Sequence, residues 1–229
     1  NDNVPVFVSN PASAAENQIA IGCVVVTDSD LMNPAPTPAP NCGIASGLTL
    51  SITGDNLQVN SVGYLSFISA PDFETKSSYT GTIIASDGTN TSTKNITVNV
   101  TNVNEVPQIS ALSSTQLSDE NQVSVVTVSA SDPDASTTLA YSLSGTDSSL
   151  FAISSSGVIT FSSAPDYETP GDADGDNNYQ INVVVSDGSL SVTQAITIQV
   201  QNVADLISGV AVDGYVAGAT VFQDLNNDG

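Results

Sequence analysis

The chain has 229 residues, 24 acidic side chains and only two basic ones, Lys76 and Lys94, giving a formal net charge of −22 with no histidine. Two cations cannot neutralise a nucleic-acid backbone or hold an anionic membrane surface, and the lack of histidine excludes imidazole bases and Cys/His zinc sites. The length suggests about two domains, and a 40% hydrophobic content is enough to build cores. No apolar run approaches the roughly 18 residues of a membrane-spanning helix. Asn1 opens on a polar segment, so no signal peptide is expected, and the chain reads as a mature product or a piece of something longer.

From the N-terminus, Asn1-Asp-Asn-Val-Pro-Val-Phe7 leads to Ala15-Glu-Asn-Gln18 and then to Thr27-Asp-Ser-Asp30. Cys23 and Cys42 flank a Pro-rich insertion, Asn33–Asn41, which cannot form regular structure. A disulfide there would tie the insertion down, stabilising by about 3 kcal/mol in the chain-entropy model. The alternative is two unrelated buried thiols. Next come Ala70-Pro-Asp-Phe-Glu-Thr75, the turn Ala85-Ser-Asp-Gly88 and the alternating strand Ile96-Thr-Val-Asn-Val-Thr-Asn-Val103. The sequons at Asn90, Asn95 and Asn99 are expected by chance in a Thr-rich chain.

The same features then recur in the same order. Asp119-Glu-Asn-Gln122, Ser131-Asp-Pro-Asp134, Ala164-Pro-Asp-Tyr-Glu-Thr169, Val185-Ser-Asp-Gly188 and Ile196-Thr-Ile-Gln-Val-Gln-Asn-Val203 repeat the first series. The offset is about 100 residues, which marks a tandem duplication of a compact domain. Alternating strands, Asp-Gly and Ser-Gly turns and the lack of 3.6-residue periodicity make each copy all-β. About seven short strands per copy predict two tandem antiparallel Greek-key sandwiches. The boundaries fall at 1–105 and 106–205. Residues 206–229 read as an incomplete β segment, either the start of a further domain or a segment completed by a partner.

The acids are concentrated at strand ends and connections. Clustered carboxylates without cations would cost several kcal/mol in repulsion. Calcium suits such clusters, because it takes 6–8 oxygen ligands and needs neither nitrogen nor sulfur. Copy two also inserts Pro170-Gly-Asp-Ala-Asp-Gly-Asp-Asn-Asn178, whose Asp172, Asp174 and Asp176 place oxygens at every second position. This is either an ion-binding loop or a flexible acidic one. The closing Asp224-Leu-Asn-Asn-Asp-Gly229 looks like the first half of a calcium loop.

Together, the opening Asn-Asp-Asn-Val-Pro, the Glu, the Asp-x-Asp pair, the Asp-x-Glu triplet and the Ala-Ser-Asp motif resemble cadherin repeats over residues 1–205. The linker Asn102-Val-Asn-Glu-Val-Pro107 is closer to the cadherin-like repeats of large bacterial surface proteins than to animal cadherins. The resemblance implies calcium between successive domains. Between the copies it would use Glu16, Asp72 and Glu74, the linker residues Asn102, Asn104 and Glu105, and Asp132, Asp134 and Asp187. Asp2, Asn3, Asp28, Asp30 and Asp87 would form half a site for a preceding domain. Glu120, Asp166, Glu168, Asn202 and Asp205 would form a less complete site, since Ala204 stands where an oxygen ligand is expected.

The implied function is a calcium-binding structural module of an extracellular adhesin, stalk or surface fibre. Its partners would be calcium and either neighbouring domains of the same large protein or further copies joined head to tail, without nucleic acid or membrane insertion. A calcium-dependent carbohydrate-binding module is the alternative, although Tyr64, Tyr79, Tyr141, Phe151, Phe161 and Tyr179 all lie in strand-like contexts. An enzyme is not expected. Acid–base work by Asp72 and Glu74 is chemically conceivable, but the same pair recurs in both copies, as a structural motif would.

Overall fold

The computed structural model describes residues 3–31, 42–134 and 137–204. The chain divides into two units, 1–105 and 106–229. The tail reading at 206–229 and the half calcium loop at its end lie outside the described residues, as do Asp2, Asp205 and the whole of the Pro-rich insertion.

The first unit contains β1 (Val6–Ser9), β2 (Ser13–Ala15), β3 (Ala20–Cys23), β4 (Val25–Thr27), β5 (Thr49–Gly54), β6 (Leu57–Val59), β7 (Tyr64–Phe67), β8 (Ser78–Ser86) and β9 (Thr91–Thr101). One sheet has the order β2-β9-β8-β5, a second has β3-β7-β6, and β1 pairs with β4. β3 and β4 are one extended run interrupted at Val24, whose N–H turns to Gly63 O at 2.9 Å. The chain passes between the sheets from β5 to β6 and from β7 to β8, so neither sheet is built from consecutive strands alone. Alternation explains the core: Ile96, Val98 and Val100 of β9 point inward with Tyr79, Ile83 and Ala85 of β8, against Leu65 and Phe67 of the other sheet. Phe67 and Tyr79 meet edge to face at 5.2 Å.

The second unit repeats this plan with β10 (Gln108–Ser110), β11 (Thr115–Asp119), β12 (Ser124–Thr127), β13 (Ser129–Ser131), β14 (Ala140–Ser144), β15 (Phe151–Ile153), β16 (Val158–Phe161), β17 (Asn178–Ser186) and β18 (Ser191–Gln201). A 3-10 turn, Ser148–Leu150, precedes β15. The sheets run β11-β18-β17-β14 and β12-β16-β15, with β10 paired to β13. Phe151, Phe161 and Tyr179 form the centre of its core, with Ile181, Val183, Ile196 and Ile198 around them.

The all-β tandem-sandwich expectation holds, with one correction. The sheets are not antiparallel throughout: β2 runs parallel to β9, and β11 parallel to β18. The first segment of each unit splits between the layers, because its ladder is broken. In unit one the break is Asn10-Pro11, where proline offers no N–H. In unit two it follows Ser110, where Ala111 takes a positive φ of 41°. Alternation reports which face is buried, but not strand direction.

Cys23 and Cys42 are joined in a disulfide with a Cα–Cα distance of 5.3 Å across 19 residues. Cys42 is fully buried. The reading of two unrelated thiols is therefore set aside.

Candidate metal-binding sites

Each unit has a base built around one buried glutamate. In unit one, Glu16 follows the short strand β2 and is only 3% exposed. Its Oε2 accepts the Phe73 N–H at 2.8 Å and its Oε1 the Val103 N–H at 2.7 Å. The carboxylate thus joins the Asp72–Glu74 turn to the end of β9. Asn17, the next residue, has a φ of 60°, a left-handed conformation that asparagine tolerates. Its N–H reaches Pro71 O at 2.9 Å and its Nδ2 donates to Glu105 Oε1 at 2.7 Å. Glu74 accepts from Asn102 Nδ2 at 2.9 Å. Asn104 Nδ2 donates to Glu105 O at 3.3 Å. The hydroxyl and then the N–H of Thr75 hold the Asp72 carboxyl below its usual pKa. Carboxylate oxygens of Glu16, Asp72 and Glu74 all lie within 4.8 Å of one another.

Unit two repeats this base. Glu120, also 3% exposed, accepts from Tyr167 N at 3.1 Å and Val203 N at 2.7 Å. Asn121 takes a φ of 61° and donates its N–H to Pro165 O at 2.9 Å. Asp166 accepts the N–H groups of Glu168 and Thr169. Asn202 Nδ2 donates to Glu168 Oε1 at 2.6 Å. Glu120, Asp166 and Glu168 again bring oxygens within 4.8 Å.

The opposite end of each motif series is also ordered locally. In unit one, Asn3 donates from its N–H at 2.9 Å and its Nδ2 at 2.6 Å to the two oxygens of Asp30. Asp30 N–H donates to Asp28 Oδ1 at 2.9 Å, and Asp28 is 1% exposed. Asp87 Oδ1 accepts the Thr89 and Asn90 N–H groups at 2.7 and 2.6 Å. Asn90 Nδ2 then ties this turn to Asn3 O at 2.9 Å. In unit two, Asp134 N–H donates to Asp132 Oδ1 at 2.9 Å, while Asp132 Oδ2 is buried without a hydrogen-bond partner. Asp187 Oδ1 accepts from Ser189 and Leu190 N–H groups.

The inserted loop of unit two forms a separate cluster. Oxygens of Asp172, Asp174 and Asp176 lie within 4.8 Å of one another. Burial raises the Asp172 pKa, but hydrogen bonds outweigh it, chiefly the N–H of Asp176, and leave the carboxyl below its usual value. The Asp174 carboxyl is pushed up, first by its hydrogen bond with Asp172, then by burial and by repulsion from Asp176 and Asp172.

These donor sets suit a hard dication. They offer carboxylate and amide oxygens, and the buried, partnerless Asp132 Oδ2 is an acceptor that a cation would satisfy. Sequence reasoning missed Asn17, Asn90 and Asn177. Asn17 was within reach, because Glu-Asn-Gln stands in both copies; Asn90 was not, because Leu190 stands at its counterpart. The aromatic residues named in the sequence are all in strands. Tyr79, Phe151, Phe161 and Tyr179 are buried, and among the described residues Tyr167 is the aromatic side chain with the largest exposure, 37%.

The fold is that of tandem cadherin-like β-sandwiches. Residues 113–201 match the Cadherin domain family. Among solved structures, mouse Cadherin-23 EC22-24 is similar at 23% identity and a TM-score of 0.54, over 88% of this chain and 66% of that one. Human Protocadherin-24 EC1-2 is similar at 22% identity and a TM-score of 0.55, over 88% of this chain and all of that one. Drosophila N-cadherin EC1-4 is 15% identical with a TM-score of 0.55, over 87% of this chain and half of that one. A comparison with curated proteins yields no sequence match. Among the described residues, no helix is long and apolar enough to cross a membrane.

Proposed function

We propose that this chain is a calcium-stiffened structural module of an extracellular adhesin, stalk or surface fibre, with ions binding where one unit meets the next. Unit one offers Glu16, Asp72, Glu74, Asn102, Asn104 and Glu105, and unit two offers Asp132, Asp134 and Asp187. Asn3, Asp28, Asp30 and Asp87 serve a preceding domain, and Glu120, Asp166, Glu168 and Asn202 a following one. The observation that carries this reading is the repeated base, a buried glutamate gripping the Asp-x-Glu turn and the final strand in both units. The disulfide supports a location outside the cell, where such bonds persist.

The chemistry is charge neutralisation. Calcium would screen the carboxylates, remove their mutual repulsion and turn a hinged connection into a stiff one. Small-angle scattering of the chain in calcium and in EDTA tests this. A longer, narrower distribution of shapes in calcium is expected. The same envelope in both buffers would refute the calcium hinge.

A further inference from the structure

We propose that the 171–178 loop of unit two holds a calcium ion of its own, through Asp172, Asp174, Asp176 and the side-chain carbonyl of Asn177. This site would lie within one unit, apart from the interdomain ions proposed above.

Asn177 provides an observation independent of the carboxylates. It is 9% exposed, and its Oδ1 is buried with no hydrogen-bond partner. Its Nδ2 is committed to Tyr167 O at 2.9 Å, so turning the amide over would set two carbonyl oxygens against each other. Its backbone N–H donates to Asp172 Oδ1 at 3.2 Å, which seats Asn177 against the cluster. A water could donate to the orphaned carbonyl, but it would leave three neighbouring carboxylates un-neutralised. A dication serves both.

The sister unit shows what charge this corner takes. Asp55 N–H donates to Thr80 O, and Asp147 N–H donates to Gln180 O, so Asp55 and Asp147 are counterparts. In unit one, Asp55 is paired with the ammonium of Lys76 at 2.6 Å. In unit two, the Lys76 region is replaced by the inserted loop, and the chain has no lysine or arginine beyond residue 94. Asp147, 4% exposed, instead accepts Ala173 N–H at 2.9 Å and Gln180 N–H at 2.6 Å, pinning the loop to β17. Unit two therefore gathers Asp147, Asp172, Asp174 and Asp176 at a corner where unit one supplies a cation from its own side chain. A bound metal ion takes the part of the missing lysine.

The test is calcium titration calorimetry on the full chain, as wild type, Asp174→Asn/Asp176→Asn and Glu74→Gln, with hydrogen exchange of the 171–178 peptide in calcium and EDTA. The loop variant should bind one ion fewer than wild type. Calcium should slow exchange at the Asp176 and Asn177 amides about tenfold or more in wild type and in Glu74→Gln alike. Loss of interdomain ions in Glu74→Gln with the loop still protected would separate the two sites. An unchanged ion count in the loop variant would overturn the proposal. So would exchange at 171–178 that is the same in both buffers, a measurement on wild type that does not depend on the variant folding.

Discussion

Glu16 and Glu120 make the same two hydrogen bonds, each accepting one backbone N–H from the residue between its Asp and Glu and one from the residue after Asn102 or Asn202. Each therefore has a structural duty that persists whether or not an ion is bound. Glu16→Ala would leave two part-buried N–H groups without their carboxylate acceptor. Hydrogen bonds to charged groups contribute about 1.5–3 kcal/mol each, so a loss of about 3 kcal/mol or more is expected. Denaturant unfolding in EDTA should show it. A variant as stable as wild type in EDTA would mean that Glu16 serves only the ion.

Glu74 is different. It is exposed, and its carboxylate accepts from the Asn102 amide at 2.9 Å. Glu74→Ala should weaken interdomain calcium and lower the melting temperature in calcium, while leaving the calcium-free value nearly unchanged. The linkage difference is about 2.7 kcal/mol when calcium is a hundredfold above its dissociation constant. Equal falls in both buffers would assign Glu74 to packing instead.

Lys76 makes two contacts of different pH dependence: an ion pair with Asp55 at 2.6 Å and a position 4.6 Å from the centre of the Tyr79 ring. The hydrogen bond and charge of Lys76 lower the Asp55 pKa. A depressed carboxyl contributes stability above its unfolded pKa, near 3.9, and loses it as pH falls through the folded value. The stability gap between wild type and Lys76→Met should therefore shrink on acidification from pH 5, but not vanish, because the ring contact does not titrate there. Thermal melts across that range check this. A gap independent of pH would mean that the exposed ion pair contributes nothing.

Gly157 has a φ of 80°, and a Cβ there would stand 2.3 Å from Val128 O, the residue whose N–H it accepts. Gly188 has a φ of 100° but open space around it. Gly188→Ala should cost about 1–2 kcal/mol, for the left-handed backbone alone. Gly157→Ala should cost at least twice that, because backbone must move. Equal losses in chemical denaturation would show that the turn after β15 yields without cost.

Much of the core and the repeated acids could be read from the sequence because both obey local rules. Ile96, Val98 and Val100 alternate, and their counterparts Ile196, Ile198 and Val200 alternate again, so the buried face follows from period two. The parallel pairing of β2 and β11 could not be read, because a three- to five-residue strand carries no directional signal. Asn177 was also hidden: its buried carbonyl depends on Tyr167, ten residues away, holding the amide nitrogen. Asp147 was invisible as the anchor of the acidic loop, since the contacts span 26 and 33 residues.

The parallel edge strands bear on how each unit would respond to tension. β2 lies near the start of unit one and β9 at its end, and they are hydrogen-bonded side by side in the same direction. Pulling the chain at its two ends draws β2 toward its N-terminus and β9 toward its C-terminus, opposite ways along a shared axis. The bonds between them are then strained together, in shear, instead of opening one at a time like a zip. Glu16 lies immediately beyond β2 and grips Val103 just past β9, adding a carboxylate bond at the end of that row. Unit two has the longer row, five paired positions between β11 and β18 against three in unit one. Under load, the first unit should yield before the second.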